Sequence, residues 1–135
     1  MSEHFLLETS FVIDLERELA SGGAGPASRF LERHPEDQLH LSFTVVAELA
    51  CGLSVSRREA WEAFVQPFDV IQSSAEISWR YAEAYRYLRK NGRLIGTNDL
   101  WIAATAVARE LPLVTRNARH FERVPGLRVL GYLDS

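Results

Sequence analysis

The chain alternates short unbroken apolar runs with longer stretches in which apolar residues recur every three or four positions. "HFLLE" (4–8) is apolar up to a closing acid. "TSFVIDLEREL" (9–19) then places Val12, Leu15 and Leu19 at helical spacing. "ASGGAGP" (20–26) reads as a loop, and 27–33 as a short helix stopped before Pro35. "LHLS" (39–42) predicts a strand, with Ser42 capping a helix that runs to about Leu53. A helix over 57–65 carries Trp61, Phe64 and Val65 on its core side, and "FDVIQ" (68–72) is a third strand. Ser74 opens a long helix with Ile77, Tyr81, Ala84 and Leu88 as its stripe and a Glu76–Arg80 pair one turn apart; "NG" at 91–92 stops it. A helix through "GTNDLWIAATAVA" (96–108) follows, then a strand "LPLVT" (111–115), a helical turn over 117–121 and a last strand "LRVLG" (127–131).

Strands that read as apolar runs and alternate with helices predict a parallel sheet covered on both faces. The 135 residues form one domain on this pattern, 1–135, without repeat or linker. "SGGAG" is followed by no Lys-Ser/Thr pair and is a loop rather than a phosphate cradle. An apolar share of 47% and a charged share of 24% are ordinary for a soluble chain. No apolar run approaches the roughly 18 residues of a membrane span, and "MSEHFLLETS" is no signal peptide. Cys51 stands alone, which excludes an internal disulfide and predicts a reducing, cytoplasmic setting. A net charge of −3 argues against indiscriminate nucleic-acid coating but allows a local basic rim. Lys90 is the sole lysine; arginine suits bidentate phosphate contact, though a GC-rich genome gives the same bias.

The acids change the picture most. Asp99 sits in the first turn of an otherwise apolar helix, where an acid suits the helix dipole and Thr97 or Asn98 can serve as N-cap. Glu48, in "FTVVAELACGL", has Thr44, Val45, Cys51 and Gly52 as helical neighbours and no cation at three or four residues. It is either a solvated surface acid or part of a site. Glu8 and Thr115 end two strands, at the sheet edge where open α/β proteins bind ligands. Clustered carboxylates repel one another unless a divalent cation neutralises them, and an all-oxygen set favours Mg²⁺ or Mn²⁺ over zinc.

Taken in order, "LLETSFVIDL", "VVAELACGL", "IGTNDLWIAATA" and "LPLVTRNARHFERVPGLRV" resemble a PIN-domain ribonuclease of the VapC toxin type, from about Phe5 to Val129. The resemblance implies a three-layer α/β/α domain with a central parallel sheet of four or five strands. It also implies an acidic Mg²⁺ or Mn²⁺ site that hydrolyses RNA and leaves a 5′-phosphate. A cognate antitoxin and a homodimer are the implied partners. Glu8, Glu48 and Asp99 then hold the metal, supported by Thr115 and Asn117. The nearby Arg93, Arg116, Arg119 and Arg123 are candidates for RNA phosphates.

Two positions depart from the family pattern. Glu8 stands where the family has aspartate, and the extra methylene moves the carboxylate by about 1 Å, a displacement that can cost on the order of 100-fold in rate. The backbone has adjusted, or the nuclease is weak, or the residue is an attenuating substitution. His120 stands where a fourth acid is expected; it touches the metal shell through water, binds phosphate when protonated, favours Mn²⁺, or simply fills the position. Asp14, six residues past Glu8, is a substitute acid, but its helical spacing predicts solvent exposure. The alternative function is a weakened PIN domain that binds RNA or antitoxin without efficient cleavage. A phospho-acceptor domain is disfavoured, because it needs a lysine after a late strand and Lys90 ends a helix.

Overall fold

A computed structural model describes residues 2–52 and 55–133. In chain order the elements are β1 (His4–Leu7), α1 (Thr9–Ala20), α2 (Pro26–Arg33), β2 (Gln38–Ser42), α3 (Phe43–Ala50) and α4 (Arg58–Val65). Then follow β3 (Asp69–Ile71), α5 (Ala75–Lys90), α6 (Thr97–Arg109), β4 (Leu113–Val114), α7 (Ala118–Phe121) and β5 (Val129–Leu130). The sheet has five strands in the order β3-β2-β1-β4-β5, and every pairing is parallel. The steps from β1 to β2 and β2 to β3 run one way across the sheet, whereas β3 to β4 and β4 to β5 run the other. Right-handed crossovers therefore put α1–α4 on one face and α5–α7 on the other, which gives three layers. Among the described residues no helix is long and apolar enough to cross a membrane.

The central strand explains why the core forms. Leu6 and Leu7 are fully enclosed, as are Leu41 on β2 and Leu113 and Val114 on β4. Beneath them Phe5, Phe11, Phe30 and Tyr132 pack edge to face, with ring centroids 4.8–5.5 Å apart. On the other face α6 buries Ile102, Ala103, Ala104, Thr105 and Ala106, and these small residues let its backbone lie close to the sheet. Trp61 and Phe64 are only half-buried; Trp61 Nε1 donates to the Val46 carbonyl at 2.9 Å and ties α4 to α3.

Several boundaries differ from the sequence expectation. The expected strand at 111–115 is regular only at Leu113–Val114; Pro112, with no N–H to give, contributes just its carbonyl, which accepts from the Leu6 N–H at 2.9 Å. The strands expected at 68–72 and 127–131 shorten in the same way at the sheet's two edges. The helix capped by Ser42 stops at Ala50, and its expected end at Leu53 lies outside the described residues. Ser42 and Ser74 do cap their helices, each accepting from the backbone N–H three residues on. Thr97 and Asn98 do not: the N-cap of α6 is Gly96, with no side-chain bond. Gly92, at φ 65°, takes the left-handed turn that ends α5.

Candidate active site

The strand order reverses between β1 and β4, so the crevice beyond their carboxyl ends is the topological switch point. Glu8 follows β1 there and Thr115 follows β4. Glu8 is not the last strand residue but the N-cap of α1, in extended conformation, and it is almost wholly enclosed, with 4% exposure. Its Oε2 accepts from the Ser10 N–H at 3.1 Å and its Oε1 from the Ser10 hydroxyl at 2.6 Å. The Thr115 hydroxyl also donates to Oε1, closing the crevice between the two strands. Those hydroxyls are themselves fixed: Asn117 N–H donates to Thr115 Oγ1 and Arg116 N–H to Ser10 Oγ, both at 3.0 Å. Glu8 thus ends two short relays that begin on the backbone after β4.

Glu48 and Asp99 flank this centre and keep more freedom. Glu48, half-buried on α3, accepts from the Thr9 hydroxyl at 2.7 Å through Oε1. Asp99, in the first turn of α6, accepts from His120 Nε2 at 2.9 Å through Oδ2. Among the described residues no donor reaches the second oxygen of either acid. The starts of α1, α3 and α6 converge on this edge, and their positive ends favour the negative charge collected there.

The three acids share an edge but do not form a tight ligand trio. Among the described residues the trio whose ligand atoms lie within 4.8 Å of one another is Glu3, His34 and Asp37, at the opposite end of the sheet. The Glu8 side chain folds back onto Ser10 and Thr115. A divalent cation nonetheless suits the donor set, since Glu48 and Asp99 each present an unengaged hard oxygen on the same edge. Glu8 stands behind them with both oxygens engaged.

His120 does more than fill its position, because it bonds directly to Asp99. Asp14 is not solvent-exposed. Its side chain is 15% exposed and takes Arg116 Nη1 at 3.0 and 3.2 Å and the Tyr132 hydroxyl. Burial, then the bond to Asp14, pushes the Tyr132 hydroxyl's pKa upward. Arg116 thus pairs with Asp14 through Nη1 while its side chain stays 43% exposed. Arg93 and Arg119 are exposed and Arg123 is half-covered. Sequence reasoning passed over Thr9, Ser10 and Tyr132 as site residues. The signal for Ser10 was present, since a hydroxyl two positions past an acid can capture it locally; nothing local marks Thr9, which turns to Glu48, or Tyr132.

A family model described as PIN domain matches residues 5–127. The chain is 32% identical over 129 residues to Ribonuclease VapC1 of Haemophilus influenzae, covering 92% of this chain and 94% of that protein. It superposes with a TM-score of 0.81 and 27% identity on a chain of VapBC2 from Rickettsia felis bound to a DNA fragment from their promoter, covering 96% and 98% of the two chains. A toxin–antitoxin complex from Klebsiella pneumoniae contains a chain similar at a TM-score of 0.70 and 28% identity, over 93% and 95%.

Proposed function

Since the chain belongs to the PIN-domain family, we propose that it is a divalent-metal-dependent endoribonuclease, the toxin of a toxin–antitoxin pair. The observation that carries this reading is the pair of unengaged carboxylate oxygens, one on Glu48 and one on Asp99. They lie beside Glu8 at the switch point, where the N-termini of α1, α3 and α6 meet. Glu48 and Asp99 would hold the cation, Mg²⁺ or Mn²⁺ by the oxygen-only chemistry of the set. When bound, it would supply Lewis acidity for a phosphodiester and activate water near neutral pH.

The chain's own residues have separable tasks. Thr9 orients Glu48, and His120 orients Asp99. Thr115 and Ser10 hold Glu8, with Asn117 and Arg116 anchoring them through their backbone N–H groups. Engagement of both Glu8 oxygens by Ser10 and Thr115 favours slow turnover, the attenuated form of the same function. The Haemophilus relative's name and the Klebsiella complex support a ribonuclease that is restrained by a cognate antitoxin. A homodimer is part of the same reading.

The test is cleavage of a panel of structured and single-stranded RNAs by the purified protein in EDTA, Mg²⁺ and Mn²⁺. Cutting in metal but not in EDTA, lost in Asp99→Asn, is expected. Cutting that persists in EDTA, or in Asp99→Asn, overturns the reading.

A further inference from the structure

Outside the acidic edge, α5 carries a charge pattern that the site chemistry does not use. From residue 84 to residue 98 there is no acid, while Arg86, Arg89, Lys90 and Arg93 fall within that stretch. In a chain of net charge −3 this is a marked local reversal. Arg80, earlier on the same helix, is clamped by Glu76 at 2.9 Å and Glu83 at 3.2 Å. The four later cations form no ion pair among the described residues; Arg86 instead lies over the Trp79 ring, 5.4 Å from its centroid.

The fold delivers this stretch to the acidic edge. Glu76 and Arg80 share a cleft with Val107 and Glu110 at the end of α6, whereas Tyr81, further along α5, packs on Trp101 nearer its start, so α5 and α6 run antiparallel. Residues 91–96 join them, and the basic end of α5 therefore lies beside the first turn of α6, which bears Asp99. An aromatic ladder leads the same way. Phe43, at the start of α3, meets Trp101 edge-on at 5.8 Å, and Trp101 meets Tyr81 at 4.1 Å. Tyr81 lies parallel to Tyr85, within 7° and at 6.5 Å. Tyr85 is the outer rung, 37% exposed. Arg89 stands one turn beyond it on the same flank, and Arg86 and Lys90 share the next flank.

We propose that the C-terminal half of α5 is a track for single-stranded RNA leading to the acidic edge, on which Tyr85 stacks an unpaired base and Arg86, Arg89, Lys90 and Arg93 hold the flanking phosphates. The inference rests on the endoribonuclease reading and names the strand's path to that site. Aromatic faces stack on any base once it is unpaired, and arginine adds phosphate contact, so single-stranded RNA fits this combination. Charge complementarity selects it over an apolar partner, for which four unpaired cations would be a desolvation cost.

The full chain in EDTA, with a fluorescein-labelled ten-nucleotide RNA lacking secondary structure, provides the test by anisotropy. Tyr85→Ala should weaken binding about five-fold or more, while Tyr85→Phe keeps the ring and the affinity. Replacing Arg89 and Lys90 together by glutamine should flatten the slope of log affinity against log salt by about 0.7 for each phosphate that is no longer held. In Mg²⁺ or Mn²⁺, Tyr85→Ala should raise KM and leave kcat nearly unchanged. Unchanged affinity and KM in these variants, with wild-type cleavage intact, overturns the track and leaves the nuclease standing. Wild-type binding with this dependence but no cleavage overturns the nuclease and leaves the track. No binding by the wild type overturns the track. A fall in molecular mass by light scattering at unchanged RNA affinity also overturns it, and assigns the face to a second copy of the chain.

Discussion

The two ends of the sheet both gather acids and histidines, yet they are built for opposite purposes. At the amino end Asp37 accepts from the Glu3 N–H and from His34 Nδ1, each at 2.8 Å, and so ties the start of β1 to the turn before β2. The Glu3 bond first, then His34, holds the Asp37 carboxyl below its ordinary pKa. By ligand spacing alone this end, not the other, looks like the metal site. But both Asp37 oxygens already accept from protein donors. At the carboxyl end helices begin rather than end, and two acids retain an unengaged oxygen. Proximity of ligands distinguishes the ends less well than unspent acceptor capacity does.

The sharpest way to break this comparison is to neutralise one acid at each end. Asp99→Asn should lower RNA cleavage by about 100-fold or more while keeping or raising the thermal midpoint, since it relieves repulsion among neighbouring acids. Asp37→Asn should leave cleavage within about two-fold but lower the midpoint, because a charge-assisted clasp is lost. Adding Mn²⁺ should raise the midpoint of the wild type and of Asp37→Asn, and not that of Asp99→Asn. A Mn²⁺ response that disappears in Asp37→Asn and survives in Asp99→Asn would reverse the assignment of the two ends.

Glu8 decides how the carboxyl end is held together. Glu8→Ala should cost about 1–3 kcal/mol in urea unfolding, because the α1 cap is lost and the hydroxyls of Ser10 and Thr115 lose their acceptor in a buried setting. Glu8→Asp keeps the charge, shortens the side chain and suits an N-cap better. It should raise the cleavage rate about ten-fold by withdrawing the carboxylate from Ser10 and Thr115 toward the other acids. An unchanged rate with unchanged metal affinity would mean that the edge is already adapted to glutamate.

How much of this could be read beforehand follows from which interactions are local. The alternation of strands and helices, the serine caps at Ser42 and Ser74, and the Glu76–Arg80 pair depend on residues a few positions apart, and all are found. The family pattern located Glu8, Glu48, Asp99 and Thr115 on one edge. What sequence did not show is where each side chain turns once there. Glu8 is drawn to Thr115, 107 positions away, and Asp99 to His120, 21 positions away. Asp14 was expected in solvent because helical spacing says nothing of Tyr132, which reaches it from 118 positions on. Strand ends were overestimated for a different reason: apolar character continues past the last paired residue, as at Leu111.

The Asp14–Tyr132–Arg116 group gives a smaller, structural test. Tyr132→Phe keeps the ring against Phe11 and removes only the hydroxyl, so it should cost about 1–2 kcal/mol by urea unfolding and leave RNA cleavage nearly unchanged. A large loss of cleavage with stability intact would instead place Asp14 among the acids that serve the reaction.

The smallest effect belongs to the amino end and concerns pH. His40 on β2 meets His4 on β1, with Nε2 and Nδ1 3.0 Å apart. Burial lowers its pKa, with His4 and Arg109 adding to the depression and Asp69 opposing it. The folded chain therefore resists a proton that the unfolded chain accepts near pH 6.5, so stability should fall as pH drops below that value. Asp37, with its pKa also lowered, loses its contribution only below about pH 4, outside this window. His40→Gln removes the titrating group and should flatten the thermal midpoint between pH 7 and pH 5 relative to the wild type. An equal decline in both proteins would assign the acid limb to other groups and leave the histidine pair without a part in it.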